Sequence, residues 1–313
     1  MDYIVLDLEW NQSADEAGEN KELHFEIIEI GAVKLNSERQ VIGRFSELIR
    51  PQVYPQLHRI TSHLIHLKTH ELTQSRSFPE VARDFLDWCG KDCMFCTWGV
   101  QDLTELQSNM AYYRLEPLAE GPIRFLDVQK LFSLAFEDGK ARRSLEWAVD
   151  FLQIEKDVPF HRAFEDAWYT GKVFARIRDE KVLTRYSFDV FHPPKNRKQE
   201  VRIAFDSYEK YISRVFADKT EAFEDREVIS TRCFLCHRNV KKKIKWFCPK
   251  GKHYYCLAHC EKHGYLKGKI RIKRAEEGGI YIVKTTKLIM AGDAEKMIRY
   301  LEEAKEKKKR KNN

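Results

Sequence analysis

Apolar residues fall in short runs early in the chain and take on a helical spacing further along. Tyr3 to Leu8, rich in Ile, Val and Leu, predicts a buried strand, residues 25–35 a second and residues 41–49 a third. The three predict an antiparallel meander, with residues 11–24 as a polar loop. Phe78, Val81, Phe85, Leu86 and Trp88 are spaced as an amphipathic helix opened by Ser77 and Pro79. Cys93 to Trp98 predicts a short strand ended by Gly99, Asp102 to Tyr113 a helix, and 127–136, 144–152 and 163–178 further helices. Strands first, then helices alternating with a strand, predict an α/β (mixed α+β) sheet domain over residues 1–185. His192-Pro193-Pro194-Lys195-Asn196-Arg197-Lys198 reads as a linker. Val201, Phe205, Tyr208, Ile212 and Val215 predict a connecting helix over 200–217, so that 186–227 joins two domains. In the last part, 228–313, Ile270–Arg274 and Ile280–Lys284 flank Glu-Glu-Gly-Gly as a hairpin would, and 293–311 predicts a helix.

Length and composition agree with two domains: 313 residues, 43% hydrophobic and 33% charged, can bury a core and exclude wholesale disorder. The longest stretch without a charged residue, Cys93 to Gln101, is nine residues. A membrane span needs about 20. Met1–Asp7 has no basic segment before its apolar run and no small-residue cleavage site, so no secretion signal is expected and cytoplasmic residence is the default. Charge is uneven. Residues 1–185 carry 23 Lys and Arg against 31 Asp and Glu, whereas residues 228–313 carry 24 against 8, a balance of +16. Such a basic end points to a polyanionic partner, usually nucleic acid.

Asp7 and Glu9 lie two apart on a predicted strand, so both leave the same face. Paired carboxylates on a buried strand repel and are costly to desolvate, and become sensible with cations between them. Asp102 follows Trp98-Gly99-Val100-Gln101 at a strand-to-helix junction. His161 and Asp166, five apart, share no helix face, but converge if His161 precedes the helix and Asp166 lies in its first turns.

In order, Asp7-Leu8-Glu9, Trp98-Gly99-x-x-Asp102 and His161-x-x-x-x-Asp166 resemble the three motifs of the DEDDh (DnaQ-like) 3′→5′ exonuclease superfamily. Phe25–Val33, Phe78-Pro79-Glu80, Phe125–Leu131 and Ser144-Leu145-Glu146 also fall at family-like places, and the likeness is closest to the KapD-type and histone-messenger exoribonuclease branch. It covers about residues 1–180. Two departures stand out: the family's Thr-Gly-Ile stretch, which lines the 3′-terminal nucleotide, is here about Ile65-His66-Leu67, and Ala163, Phe164 and Glu165 precede Asp166 where Gly-Leu-Asp is usual.

The resemblance implies an RNase H-like fold with a five-stranded mixed sheet flanked by helices. It implies two Mg²⁺ or Mn²⁺ ions held by Asp7, Glu9, Asp102 and Asp166, for which carboxylates suit, and His161 as general base. Products would be nucleoside 5′-monophosphates, with Leu8, Glu9, Trp10 and His66 placing the terminal nucleotide. The expected function is a two-metal exonuclease on single strands, RNA favoured over DNA. The alternatives are a DNA-directed proofreading or repair exonuclease, and a non-catalytic nucleic-acid-binding or regulatory protein on the same fold.

Five of the eight cysteines crowd into residues 233–260. Cys233-x₂-Cys236, Cys248, His253, Cys256, His259-Cys260 and His263 form a pattern that favours structural zinc over disulfides. The spacing suggests Cys233, Cys236, Cys256 and either His259 or Cys260, with Cys248, His253 and His263 available to a second site with Cys260; one ion and two both remain open. Cys93 and Cys96, also CxxC, read as core residues. Lys241–Lys243, Lys245-Trp246-Phe247, Lys250, Lys252 and Tyr254-Tyr255 interleave cations and aromatics as single-strand binders do, although the aromatics could instead cover the zinc. A protein partner is the other reading of this small, zinc-stapled module.

Overall fold

Strand β1 (Asp2–Asn11) lies in the middle of a six-stranded sheet, and its alternating side chains feed two cores. The computed structural model describes residues 1–65, 69–249 and 251–311, in two units: Met1–Ala119 with Ile123–Phe191, and Glu120–Pro122 with His192–Asn313. In the first unit, β2 (Glu26–Leu35) and β3 (Val41–Leu48) run antiparallel to their neighbours, as the meander predicts. Short helices α1 (Arg59–Ile65) and α2 (Thr69–Thr73) lead to α3 (Phe78–Cys89). The Glu80 carboxylate accepts from the Ser77 amide (2.9 Å) and hydroxyl (2.6 Å), which starts α3 there. β4 (Cys93–Thr97) pairs parallel to β1, α4 (Gln101–Tyr112) follows, and β5 (Ile123–Asp127) pairs parallel to β4. α5 (Val128–Phe136), α6 (Leu145–Phe151), α7 (Ala163–Arg176), α8 (Glu180–Leu183) and the short β6 (Ser187–Asp189) complete the unit.

The order β3-β2-β1-β4-β5-β6 is the expected RNase H-like mixed sheet, extended from five strands to six by β6, which pairs antiparallel to β5. Ile4, Leu6 and Leu8 pack with α3 and α4 through Phe78, Phe85, Leu103 and Leu106. Val5 faces the other layer, where α5, α6 and α7 contribute Leu131, Phe132, Val149 and Phe174. Cys96 joins this second core and Cys93 packs against the first, because residues three apart on a strand leave opposite faces; among the described residues neither joins a cluster of metal-ligating side chains.

The second unit corrects two expectations. Residues 200–217 are not a connecting helix but the hairpin β7 (Val201–Ala204) and β8 (Tyr208–Ile212), turned at Asp206-Ser207, where the Phe205 amide donates to the Tyr208 carbonyl at 2.8 Å. The helical spacing of Val201, Phe205, Tyr208 and Ile212 yields to pairing of β8 with β12 (Ile280–Ile289), in which Ile212 faces Val283. Short α9 (Lys219–Glu224) and α10 (Arg226–Ile229) come next. β9 (Lys241–Phe247), β10 (His253–Cys260) and β11 (Gly264–Arg274) complete an antiparallel sheet of order β7-β8-β12-β11-β10-β9, closed by α11 (Ala291–Lys311). It is also more than a small zinc-stapled module. Tyr211, Phe216, Val228, Ile270 and Ile282 form a core on one face, and Leu257, Ala294, Met297 and Leu301 one on the other. Among the described residues no helix is long and apolar enough to cross a membrane.

Candidate active site and metal centre

Asp7 and Glu9 leave β1 on the side covered by α7, and Asp166 comes from the first turns of α7. One ligand oxygen from each of the three lies within 4.8 Å of the others. Gly31 of β2 makes this possible. It stands opposite Asp7, and a Cβ there would meet the Phe164 amide nitrogen at 2.0 Å and the Ala163 carbonyl carbon at 2.1 Å. Only a bare backbone lets the start of α7 descend onto the sheet this closely. A bulge between Glu9 and Trp10 then breaks the register just past the carboxylates, a common device beside functional sites.

Asp102, 6% exposed at the start of α4, stands beside this trio. Burial pushes it up to about 7 despite hydrogen bonds from its own amide and that of Leu8. Burial, followed by the charges of Asp102, Asp166, Glu9 and Glu29, holds Asp7 well above the usual carboxylate range. Burial and the Glu29 charge push Glu9 to about 8; burial raises Asp166 to about 6, against a hydrogen bond from the His161 amide. Four acids in mutual repulsion are what a hard divalent cation relieves, so this donor set fits Mg²⁺ or Mn²⁺.

His161 occupies the loop before α7 with φ of 73°, the left-handed region, and its amide donates to Asp166 Oδ1 at 3.4 Å. The loop is anchored by the next residue. Arg162 grips Glu29 through Nε (2.9 Å) and Nη2 (3.0 Å), and Glu29, 1% exposed, stands opposite Glu9. Sequence reading missed this fork. Its only signals are an acid inside an apolar strand, Ile28-Glu29-Ile30, and an arginine beside His161.

Of the residues expected to place a terminal nucleotide, Leu8 has its side chain buried in the core and could act only through its backbone. Trp10 is partly buried with its ring 5.8 Å from that of Phe25, and its carbonyl accepts from Thr61. His66 lies outside the described residues. Asn11, also missed, donates to the Tyr54 (2.8 Å) and Gln56 (2.9 Å) carbonyls and accepts from the His58 amide (2.8 Å), tying the end of β1 to the segment before α1.

In the second unit, Cys233, Cys236, Cys260 and His263 converge. Cys236 Sγ and Cys260 Sγ are 3.7 Å apart, and His263 Nδ1 lies 3.4 Å from Cys233 Sγ and 3.7 Å from Cys260 Sγ. A tetrahedron with Zn–S bonds of about 2.3 Å has S···S edges of about 3.8 Å, so the set fits zinc. The other candidates stand apart from it. Cys256 is on the same face of β10 as Cys260 but four residues away, roughly 13 Å. Its thiol lies where Gly268 and Trp246 meet, and burial pushes it up to about 12. His259 points to the opposite face and packs edge-on against Tyr265, His253 bonds the Lys252 carbonyl, and Cys248 is outside the cluster. The signal for His263 was the x₂ spacing from Cys260, which repeats that of Cys233 and Cys236. Trp246, expected to stack on bases, is a core residue whose indole donates to the Ile229 carbonyl at 3.0 Å; Lys250 lies outside the described residues.

The chain is 19% identical over 187 residues to 3′-5′ exoribonuclease 1 of Rattus norvegicus, covering 56% of this chain and 53% of that protein, so it spans about half the length of that relative. It is 24% identical over 160 residues to the probable 3′-5′ exonuclease KapD of Bacillus subtilis (strain 168), covering 50% and 75% of the two chains. The nuclease domain of 3′hExo, a DEDDh family member bound to rAMP, superposes with a TM-score of 0.48 at 20% identity, over 56% of this chain and 90% of that one. Residues 4–174, more than half of the chain, match the RNase_T exonuclease family model, and the chain belongs to that exonuclease family.

Proposed function

We propose that the first unit is a metal-dependent 3′→5′ exonuclease that shortens single-stranded RNA and releases nucleoside 5′-monophosphates. The observation that carries this reading is the convergence of Asp7, Glu9 and Asp166, with Asp102 beside them and the His161 loop bound to Asp166. Mg²⁺ or Mn²⁺ ions held by these four acids would supply positive charge to both the attacking and the leaving oxygen of an in-line displacement. His161 takes the proton of the attacking water as general base. Its amide bond to Asp166, and the Arg162–Glu29 fork one residue on, hold the loop for that task. RNA is favoured by the exoribonuclease among the relatives. In the second unit, Cys233, Cys236, Cys260 and His263 hold one structural zinc.

The test is release of mononucleotides from 5′-labelled RNA and DNA oligomers in Mg²⁺ or Mn²⁺, with 3′-blocked and circular strands as controls. A ladder shortening from the 3′ end, faster on RNA and absent in Asp7→Asn, is expected. Cleavage of the circle, or undiminished rates in Asp7→Asn, would refute the assignment, and faster hydrolysis of DNA would move the substrate to DNA.

A further inference from the structure

Strand β11 carries a cation at every second position: Lys267, Lys269, Arg271 and Lys273 alternate with Leu266, Gly268, Ile270 and Ile272. Leu266 and Ile270 are buried, so strand alternation sets all four cations on the other face of the sheet. Their cross-strand neighbours do not neutralise them. On β12, Lys287 stands opposite Lys267, Thr285 opposite Lys269 and Val283 opposite Arg271; on β10 the partners are Leu257, Tyr255 and His253. Among the described residues, the ion pairs of this unit engage Arg197, Arg202 and Arg214 and none of these lysines.

Like charges placed directly opposite on a sheet are destabilising. Burial, with Arg271 and Lys267 as neighbours, lowers the Lys269 amine below its ordinary range. The repulsion within this row works against folding. α11 packs over Leu257 on the same face, and an open groove of about 870 Å³ between helix and strands is lined by Lys267, Lys287, Lys296 and Tyr300, with Asp293 the acid among its lining residues. Lys267 and Lys269 lie 5.6 and 5.9 Å from the centre of the Tyr255 ring, so an aromatic surface adjoins the charges.

We propose that this face binds single-stranded nucleic acid, with phosphates along the β11 cations and bases against Tyr255 and Tyr300. Alternate strand residues are about 6.7 Å apart, comparable with the phosphate repeat of an extended single strand. Cationic tracks beside aromatic rings are the usual means of holding such strands without reading their sequence. The proposal takes only the class of polymer from the exonuclease reading.

The experiment is fluorescence anisotropy of labelled oligouridylate with the full-length chain over a salt series, in an Asp7→Asn background so that no strand is consumed. The triple variant Lys267→Gln, Lys269→Gln, Arg271→Gln should raise Kd at least about tenfold. It should also flatten the log K against log salt slope by about 2, at roughly 0.7 for each phosphate of a single strand that is no longer neutralised. Lys241→Gln, Lys243→Gln, Lys245→Gln removes equal charge from edge strand β9 and should do much less. Lys287→Gln relieves the repulsion with Lys267, so affinity should fall while the melting temperature holds or rises. An unchanged Kd in the β11 triple, equal losses in both triples, affinity and stability falling together in Lys287→Gln, or displacement by polyglutamate as readily as by oligouridylate would each overturn the proposal. Hydrolysis by the unmodified chain is scored separately. If it is absent while binding responds as expected, the exonuclease reading fails and this one stands.

Discussion

Gly31 and Ala163 touch backbone to backbone: a Cβ on Gly31 would lie 2.1 Å from the Ala163 carbonyl carbon. Gly31 is the cross-strand partner of Asp7, and Ala163 begins the helix that carries Asp166, so this contact sets the distance between two of the carboxylates. Gly31→Ala should push the start of α7 off the sheet. The expected destabilisation is about 1–3 kcal/mol, as for overpacking elsewhere. Turnover should fall further, by roughly 10²-fold, because a displacement near 1 Å is enough to spoil alignment. Urea melts and single-turnover rates on the same preparation check both; wild-type rates with lowered stability would show that the contact serves only the fold.

Without a divalent cation, Glu9, Asp102 and Asp166 rest at about 8, 7 and 6. In an unfolded chain such groups titrate near about 4. Folded-state values raised above unfolded ones mean that the folded state binds protons more tightly. Their contribution to stability is therefore complete below about pH 4 and is lost as pH rises through about 8. Protein prepared without Mg²⁺ should lose stability between about pH 5 and about pH 8, and saturating Mg²⁺ should restore it mainly at the upper end. Thermal melts with and without Mg²⁺ across that range test this. A Mg²⁺ effect of equal size at both ends would contradict the cluster as the binding site.

Arg162 and Glu29 form a two-pronged pair in which the carboxylate is buried and the guanidinium partly exposed. Removing the arginine strands a buried charge, which typically costs about 3–5 kcal/mol, and partial exposure of Arg162 favours the low end. Arg162→Ala should therefore lower stability by about 3 kcal/mol. Arg162→Ala with Glu29→Leu should recover much of that stability but not the rate, since the loop bearing His161 stays unanchored. Equal recovery of stability and rate in the double variant would remove any positioning role for the fork.

The cysteine cluster makes a selective prediction. Cys233→Ser or Cys260→Ser should release zinc and unfold the surrounding turns, because structural zinc contributes folding free energy directly. Cys256→Ser and Cys248→Ser should keep about one zinc per chain. Metal analysis of the four purified variants decides it; zinc lost on changing Cys256 would return that residue to the ligand set.

Local sequence determined what depends on short-range periodicity. The alternation of β1 places Asp7 and Glu9 on one side, the Ser77 start of α3 is legible from its cap, and the cations of β11 face one way because a strand has period two. The family motifs supplied the assembly of the four acids and His161. The tertiary structure decided whatever depends on which segments meet. Residues 200–217 carry a helical spacing, yet an open edge of β12 was available and strand pairing prevailed. Cys256 and Cys260 look interchangeable in the sequence, but a rise of about 3.3 Å per strand residue separates them beyond the reach of one ion. Glu29 meets Arg162, and Gly31 admits α7, only after chain segments more than 130 residues apart are packed against each other. Such pairings leave no periodic trace, because the partner that gives each residue its meaning is distant along the chain.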